Sequence, residues 1–358
     1  MAATGLVYSS EYLIHDTGMF HPESPLRLER ALEALKGCGI LDRDEVSIVK
    51  PRMATVSEML RVHDRSYFYH VKAACERGLE WLDPDTPINK ESFRVALLAA
   101  GGLLKGCEEV LAGNLSNAFA LIRPPGHHAG VKGRALTAPT NGFCIFNNVA
   151  VAAKSLIEDR GFRRILILDV DCHHGNGTQE IFSGDPSVLF ISLHQNGTTI
   201  YPGTGFPSEI GVGVGKGFNV NLPLPPGSGD DVYLKVFREI AEGLSMLFKP
   251  EFILVSAGFD THKRDPVTYM NLTLSGYKSL YDSIVGLARR LCHGRLAVAL
   301  EGGYGDFFGE SVATAVASMA GLDPCAIELA TESNAAIKRK VESLIEEVKG
   351  ILRPYWTL

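Results

Sequence analysis

Residues 165–179 read ILILDVDCHHGNGTQ. Four apolar residues run into Asp169, Val170, Asp171, Cys172, His173 and His174, and a Gly-Asn-Gly turn follows. Carboxylates and imidazoles packed this closely form an oxygen and nitrogen donor set of the kind that holds a divalent metal. Side chains alternate along an extended segment, so Asp169 and Asp171 share one side and His173 continues it. Asp171 and His173 can then reach one metal, with a third ligand from Asp260 in SAGFD, at the end of another apolar run. Three protein ligands leave a position for water or substrate, as in catalytic rather than structural zinc sites. An Asp-x-Asp pair can equally cap a turn while His173 and His174 pack locally. The second acidic strand end favours the metal.

Two further stretches carry chemistry. In RPPGHHAG, adjacent His127 and His128 follow a Pro-Pro-Gly turn. Paired histidines in a stiff loop beside a metal can act as general acid and base. Ligation by that pair is the competing role, and it ranks lower because three ligands already suffice. In LEGGYG, glycines flank Tyr304. Its hydroxyl can donate to a developing oxyanion, or it can satisfy a backbone carbonyl.

Each of these stretches closes an apolar run that reads as a strand. The runs are 118–123, 164–170, 187–193, 218–224, 251–258 and 295–303. They are continuous rather than alternating, as expected of strands covered on both faces. Helical patterns lie around and between them, over 23–39, 91–114, 229–248 and 273–294. Alternation of this kind predicts an α/β fold, a mostly parallel sheet with helices on both faces. Ligands bind outside the carboxyl ends of such strands, which is where the polar, glycine-rich loops fall. Without repeats or low-complexity linkers, residues 1–358 read as one domain, and 334–358 as a surface helix and tail. With 46% hydrophobic and 21% charged residues, the chain can bury a large core. A net charge of −6 argues against a general nucleic-acid binder, though not against basic peptides as partners. The cysteines Cys38, Cys75, Cys107, Cys144, Cys172, Cys292 and Cys325 are scattered and odd in number. They read as reduced thiols in a cytoplasmic compartment. No apolar run is long enough to span a bilayer, and the N-terminus has no secretory pattern.

HPESPLRLERA, RPPGHHAG, NGFCIFNNVAVAAK, DVDCHHGNGTQ, SLHQNGTTIYPGTG, SAGFDTHKRDP, EGGYG and RPYW occur in an order that resembles the zinc-dependent histone deacetylases. The likeness runs from about residue 7 to the end and is nearest the class II-like branch and its archaeal and bacterial members. It implies the arginase/deacetylase fold and hydrolysis of an acetylated lysine side chain on a peptide or protein, or of a related small acetylated amine. Inhibition by hydroxamates follows from it. The resemblance makes Asp171, His173 and Asp260 the zinc ligands, His128 the general acid-base and His127 its electrostatic partner. Tyr304 polarises the acetyl carbonyl, Asp169 orients His127, and Asn176 faces His128. Phe143 and Tyr201, with Gly142 and Val267, form the lysine tunnel. A structural potassium ion is implied near Asp169, Asp171, His173, Ser192 and Leu193.

Several positions depart from the family pattern. Tyr201 replaces a usual phenylalanine and brings a hydroxyl into or near the tunnel. Val267 stands where polyamine deacetylases carry glutamate, so a gate for polycations is missing. Tyr304 is retained, which favours a working enzyme over a weak acyl-lysine binding module. Arginase-like chemistry needs two metals and more bridging ligands than these loops supply. An acidic residue usually holds the substrate backbone at the rim, and LDPDTP offers both Asp83 and Asp85.

Overall fold

The computed structural model describes residues 3–18 and 20–357. Eight strands form the central sheet: β1 Ala3–Val7, β2 Val46–Val49, β3 Leu115–Ala120, β4 Ile165–Asp169, β5 Val188–Gln195, β6 Asn219–Leu224, β7 Phe252–Ala257 and β8 Leu296–Leu300. They lie in the order β6-β5-β4-β7-β8-β3-β1-β2, and every neighbouring pair is parallel. Strands β4 to β8 are buried at every position. Helices on both faces account for the unbroken apolar runs.

The six expected strands are β3 to β8, with β3 beginning at Leu115 rather than at residue 118. Sequence reading missed β1 and β2. β2 is the sheet's edge, with only Val46 buried and Ser47 and Ile48 exposed, so it lacks the apolar run of an inner strand. The single α/β domain expected from alternation is present.

The first expected helix is shorter than its apolar pattern, spanning Leu26–Gly37. Glu23 lies ahead of it and is fully buried. Both of its carboxylate oxygens accept from the Arg123 guanidinium at 2.8 Å, and Arg27 reaches it at 3.2 Å. Burial penalises the charge on Glu23, but these arginines outweigh it and hold the carboxyl below its ordinary pKa.

The tail forms the helix Ala335–Leu352, capped by the Asn334 side chain, which accepts from the backbone N–H of Ala336 and Ile337. Its buried stripe is Val341, Leu344, Ile345, Val348 and Leu352. Beyond it the Trp356 indole donates to the Gly217 carbonyl at 2.7 Å and packs its ring on Phe218.

The cysteine reading requires correction. Cys38, at the end of the first helix, and Cys325 are joined in a disulfide with their Cα atoms 5.5 Å apart. The other five cysteines are free and buried. Seven reduced thiols were therefore the wrong expectation, and the cysteine argument for a reducing cytoplasm does not hold. Spacing could not reveal a pair 287 residues apart in sequence. Among the described residues no helix is long and apolar enough to cross a membrane.

Candidate active site

The sheet order brings three chemistry-bearing loops together. β4 pairs with β7, Asp169 opposite Ser256, and β7 pairs with β8, Ala257 opposite Leu300. The loops after these strands carry Asp171 and His173, Asp260, and Glu301 to Tyr304. Asp171, His173 and Asp260 present donor atoms that all lie within 4.8 Å of one another.

Each carboxylate is tethered by one oxygen to a neighbouring backbone N–H and turns the other toward His173, whose own backbone N–H also donates to Asp171 Oδ1 at 2.8 Å. The Gly302 N–H donates to Asp171 Oδ2 at 2.8 Å, and the Cys172 N–H donates to Asp260 Oδ1 at 2.9 Å. The remaining oxygens, Asp171 Oδ1 and Asp260 Oδ2, converge on His173 Nδ1 at 3.2 and 2.9 Å. A Cβ on Gly258 would stand 2.1 Å from Asp171 Oδ2, and one on Gly302 would stand 2.7 Å from oxygens of both aspartates. Two buried carboxylates aimed at one point with an imidazole suit a cation, and the Asp2His set fits zinc.

His127 and His128 sit beside this triad with their rings 4.0 Å apart. His127 Nδ1 meets Asp169 Oδ2 at 3.0 Å, and its Nε2 lies 3.8 Å from Asp171. Burial opposes charge on this ring, but Asp169 and Asp171 prevail and raise its pKa to about 10. His128 Nδ1 meets Asn176 Oδ1 at 2.7 Å. The Asn176 amide donates to the Ala135 carbonyl at 3.0 Å, which fixes its oxygen toward His128. His128 therefore carries its proton on Nδ1 and keeps the lone pair on Nε2. Burial, then the charges of His127 and His173, push its pKa well down. The surroundings of the two neighbouring imidazoles thus push their pKa values in opposite directions.

A pocket of about 270 Å³ opens over these groups. His127, His128, Asp171 and His173 form its base, and Gly142, Phe143, Tyr201, Val267 and Tyr304 line it. Gly142 and Phe143 both adopt positive φ, 55° and 68°. At Gly142 glycine is required, because a Cβ would come within 2.5 Å of the His128 ring and 2.8 Å of Tyr201. Phe143 and Tyr304 meet edge to face, with centroids 5.9 Å apart. Asp85 reaches the lining and Asp83 does not. Asp83 instead accepts the Asn141 N–H at 2.6 Å.

The Tyr201 hydroxyl already has a partner. It donates to the Thr140 carbonyl at 2.8 Å, and the ring stands perpendicular to His128 at 4.9 Å. Ser192 and Leu193 lie on β5 next to β4, with Ser192 paired to Asp169. The Ser192 hydroxyl is engaged with His194 Nδ1 at 2.8 Å, and Leu193 accepts weakly from the Tyr233 hydroxyl at 3.4 Å.

Two contributors were missed in the sequence although both lie inside quoted motifs. Glu301 is fully buried and accepts the N–H groups of Gly126 and His127 at 2.7 and 3.2 Å, which clamps the histidine loop. Its pKa rises to about 7, chiefly by burial. With His127 and Cys144 it forms a second potential metal-donor group, but the carboxylate is already taken by these amides and by the Ser256 hydroxyl. Asp265, in KRDP, accepts the N–H groups of Tyr304, Gly305 and Val267. Burial and then Asp260 raise its pKa to about 7.

Comparison with known proteins bears on the family and the fold. Residues 21–320 match the model of the histone deacetylase domain. A probable deacetylase of Archaeoglobus fulgidus is 42% identical over 99% of this chain and 98% of its own length. The chloroplastic histone deacetylase 14 of Arabidopsis thaliana is 37% identical over 98% of this chain and 85% of its own. The crystal structure of the HDA15 HD domain superposes with a TM-score of 0.86 at 33% identity, covering 99% of this chain and 95% of that one. With this fold and these relatives, the chain belongs to the histone deacetylase family.

Proposed function

We propose that the protein hydrolyses the acetyl amide of a lysine side chain on a peptide or protein, with one zinc ion held by Asp171, His173 and Asp260. The observation that carries this reading is the convergence of Asp171 Oδ1 and Asp260 Oδ2 on His173 Nδ1 at the base of a narrow, largely apolar pocket. When bound, zinc supplies Lewis-acid polarisation of the carbonyl oxygen and lowers the pKa of a water molecule.

The chain's own groups do the rest. Gly142, Phe143, Tyr201 and Val267 enclose the lysine stem and exclude bulk water. His128, with its lone pair on Nε2, takes a proton from the attacking water and returns it to the leaving amine. His127, held against Asp169, keeps positive charge beside the developing negative charge. The Tyr304 hydroxyl donates to the carbonyl oxygen as it becomes an oxyanion. Asp85 at the rim accepts N–H groups of the substrate backbone. A structural potassium ion against backbone carbonyls near Asp169, Asp171, His173, Ser192 and Leu193 belongs to the same reading and rests on the family resemblance alone.

The test is acetate release by zinc-replete protein from acetyl-lysine peptides and acetylpolyamines, with and without a linear-chain hydroxamate. Turnover of the peptides, blocked by the hydroxamate and by chelation and restored by zinc, is expected. Hydrolysis of acetylpolyamines alone would overturn the substrate assignment. Full activity in chelator would overturn the metal.

A further inference from the structure

Tyr201 and Asp85 face the same pocket from different parts of the chain, and one residue lies between them. The Tyr201 hydroxyl donates to the Thr140 carbonyl at 2.8 Å. The Thr140 hydroxyl donates to Asp85 Oδ2. The other Asp85 oxygen accepts from the Thr86 hydroxyl at 3.0 Å, and Asp83 accepts the N–H of Asn141 and that of Asp85. The short hairpin of Trp81–Asp83 and Thr86–Pro87 is therefore fastened to the loop 139–143 through two aspartates.

That loop needs fastening. Gly142 and Phe143 are consecutive residues at positive φ, and Phe143 is a non-glycine in a conformation that side chains disfavour. The surroundings must hold such a segment in place. Thr140 lies two residues before it and is bonded on both sides, by its carbonyl to the tunnel wall and by its hydroxyl to the rim. Thr140 is nearly buried, so these bonds face little competition from water.

We propose that Tyr201 and Thr140 are positioning residues that set the rim carboxylate of Asp85 for the backbone of a peptide substrate. The phenol in place of a plain aromatic ring fixes the Thr140 carbonyl, and the Thr140 hydroxyl fixes Asp85. The selectivity of the pocket for acyl-lysine within a peptide then depends on a hydroxyl outside the reacting centre. This inference rests on the proposed peptide deacetylation and adds how the substrate backbone is recognised.

A double-mutant cycle on the zinc-replete enzyme tests it, with one blocked acetyl-lysine tripeptide as substrate. Thr140→Val removes the hydroxyl at nearly constant shape. It is expected to raise KM about three- to tenfold, the range for one lost hydrogen bond, with a smaller effect on kcat. Tyr201→Phe is expected to act in the same direction, and Thr140→Ser, which keeps the hydroxyl, to restore the wild-type KM. Asp85→Asn is expected to raise KM at least as far, and Thr140→Val added to Asp85→Asn to cost nothing more, because both act through one carboxylate. Multiplicative effects of the two changes, or a loss confined to kcat, overturn the proposal. So does failure of Thr140→Ser to recover KM. If wild-type enzyme does not turn over the tripeptide, the substrate reading itself has failed, which the wild-type assay shows before any variant is compared.

Discussion

The Asp265 carboxylate accepts the backbone N–H of Tyr304 at 2.7 Å, and the same oxygen accepts Gly305 at 3.1 Å. Its second oxygen accepts Val267 at 3.0 Å. One buried side chain therefore ties the loop that carries Tyr304 to the loop that carries Val267. Asn at this position has only one acceptor oxygen, so its amide would face a donor. Asp265→Asn is expected to lose about 1–3 kcal/mol of stability, the cost of leaving buried N–H groups unmet. Denaturant unfolding measures this, and turnover should fall as Tyr304 loses its place.

Tyr304→Phe isolates the hydroxyl. If Tyr304 donates to the oxyanion, turnover should fall by a factor of about 10²–10³ while zinc content and folding persist. KM should change less, because the bond matters most in the transition state. Steady-state kinetics on one acetyl-lysine peptide checks this. Activity within about twofold of wild type, far short of an oxyanion donor's effect, would make Tyr304 structural.

His173→Ala removes the imidazole on which both carboxylates converge. Bound zinc and activity should disappear together, since only three protein ligands are proposed. Elemental analysis of the purified variant decides the point. A stoichiometric ion in an active His173→Ala protein contradicts the ligand set.

Gly258→Ala probes the same centre without touching a ligand. The new methyl would stand 2.1 Å from Asp171 Oδ2 and 2.6 Å from the Asp171 Cα, so Asp171 must move. Zinc affinity should drop sharply in a chain that keeps its secondary structure. Zinc titration alongside circular dichroism distinguishes this from global unfolding.

His63 supplies a pH dependence away from the metal. Its Nε2 accepts the Asn147 N–H at 2.9 Å, so that nitrogen is unprotonated, and Nδ1 donates to the Gly130 carbonyl at 3.0 Å. Burial, partly offset by the bond to Gly130, lowers its pKa from 6.5 to about 4. Between those values the unfolded chain binds a proton that the folded chain does not. Its contribution is complete above the unfolded pKa and is lost as pH falls toward about 4, by an amount on the order of 3 kcal/mol. His63→Gln should flatten the fall in urea stability between pH 6.5 and 4. An unchanged slope would mean that His63 does not titrate in this window.

The donor set was legible in the sequence because its members close apolar runs. Asp171 and His173 are two residues apart, and Asp260 ends a second run, so strand geometry alone places them at one edge of a parallel sheet. Local pattern could not decide which strand ends are neighbours. That came from β4, β7 and β8 lying side by side, which lets Gly302 reach Asp171 across 131 residues. Asp83 and Asp85 are equivalent in the string LDPDTP. Only the packing of the loop 139–143 on their hairpin turns Asp85 toward the pocket and Asp83 to Asn141. The partner of the Tyr201 hydroxyl, the Cys38–Cys325 bond and the edge strand β2 escaped sequence reading for a related reason. Each depends on a partner distant in the chain, and apolar periodicity reports burial without naming the partner.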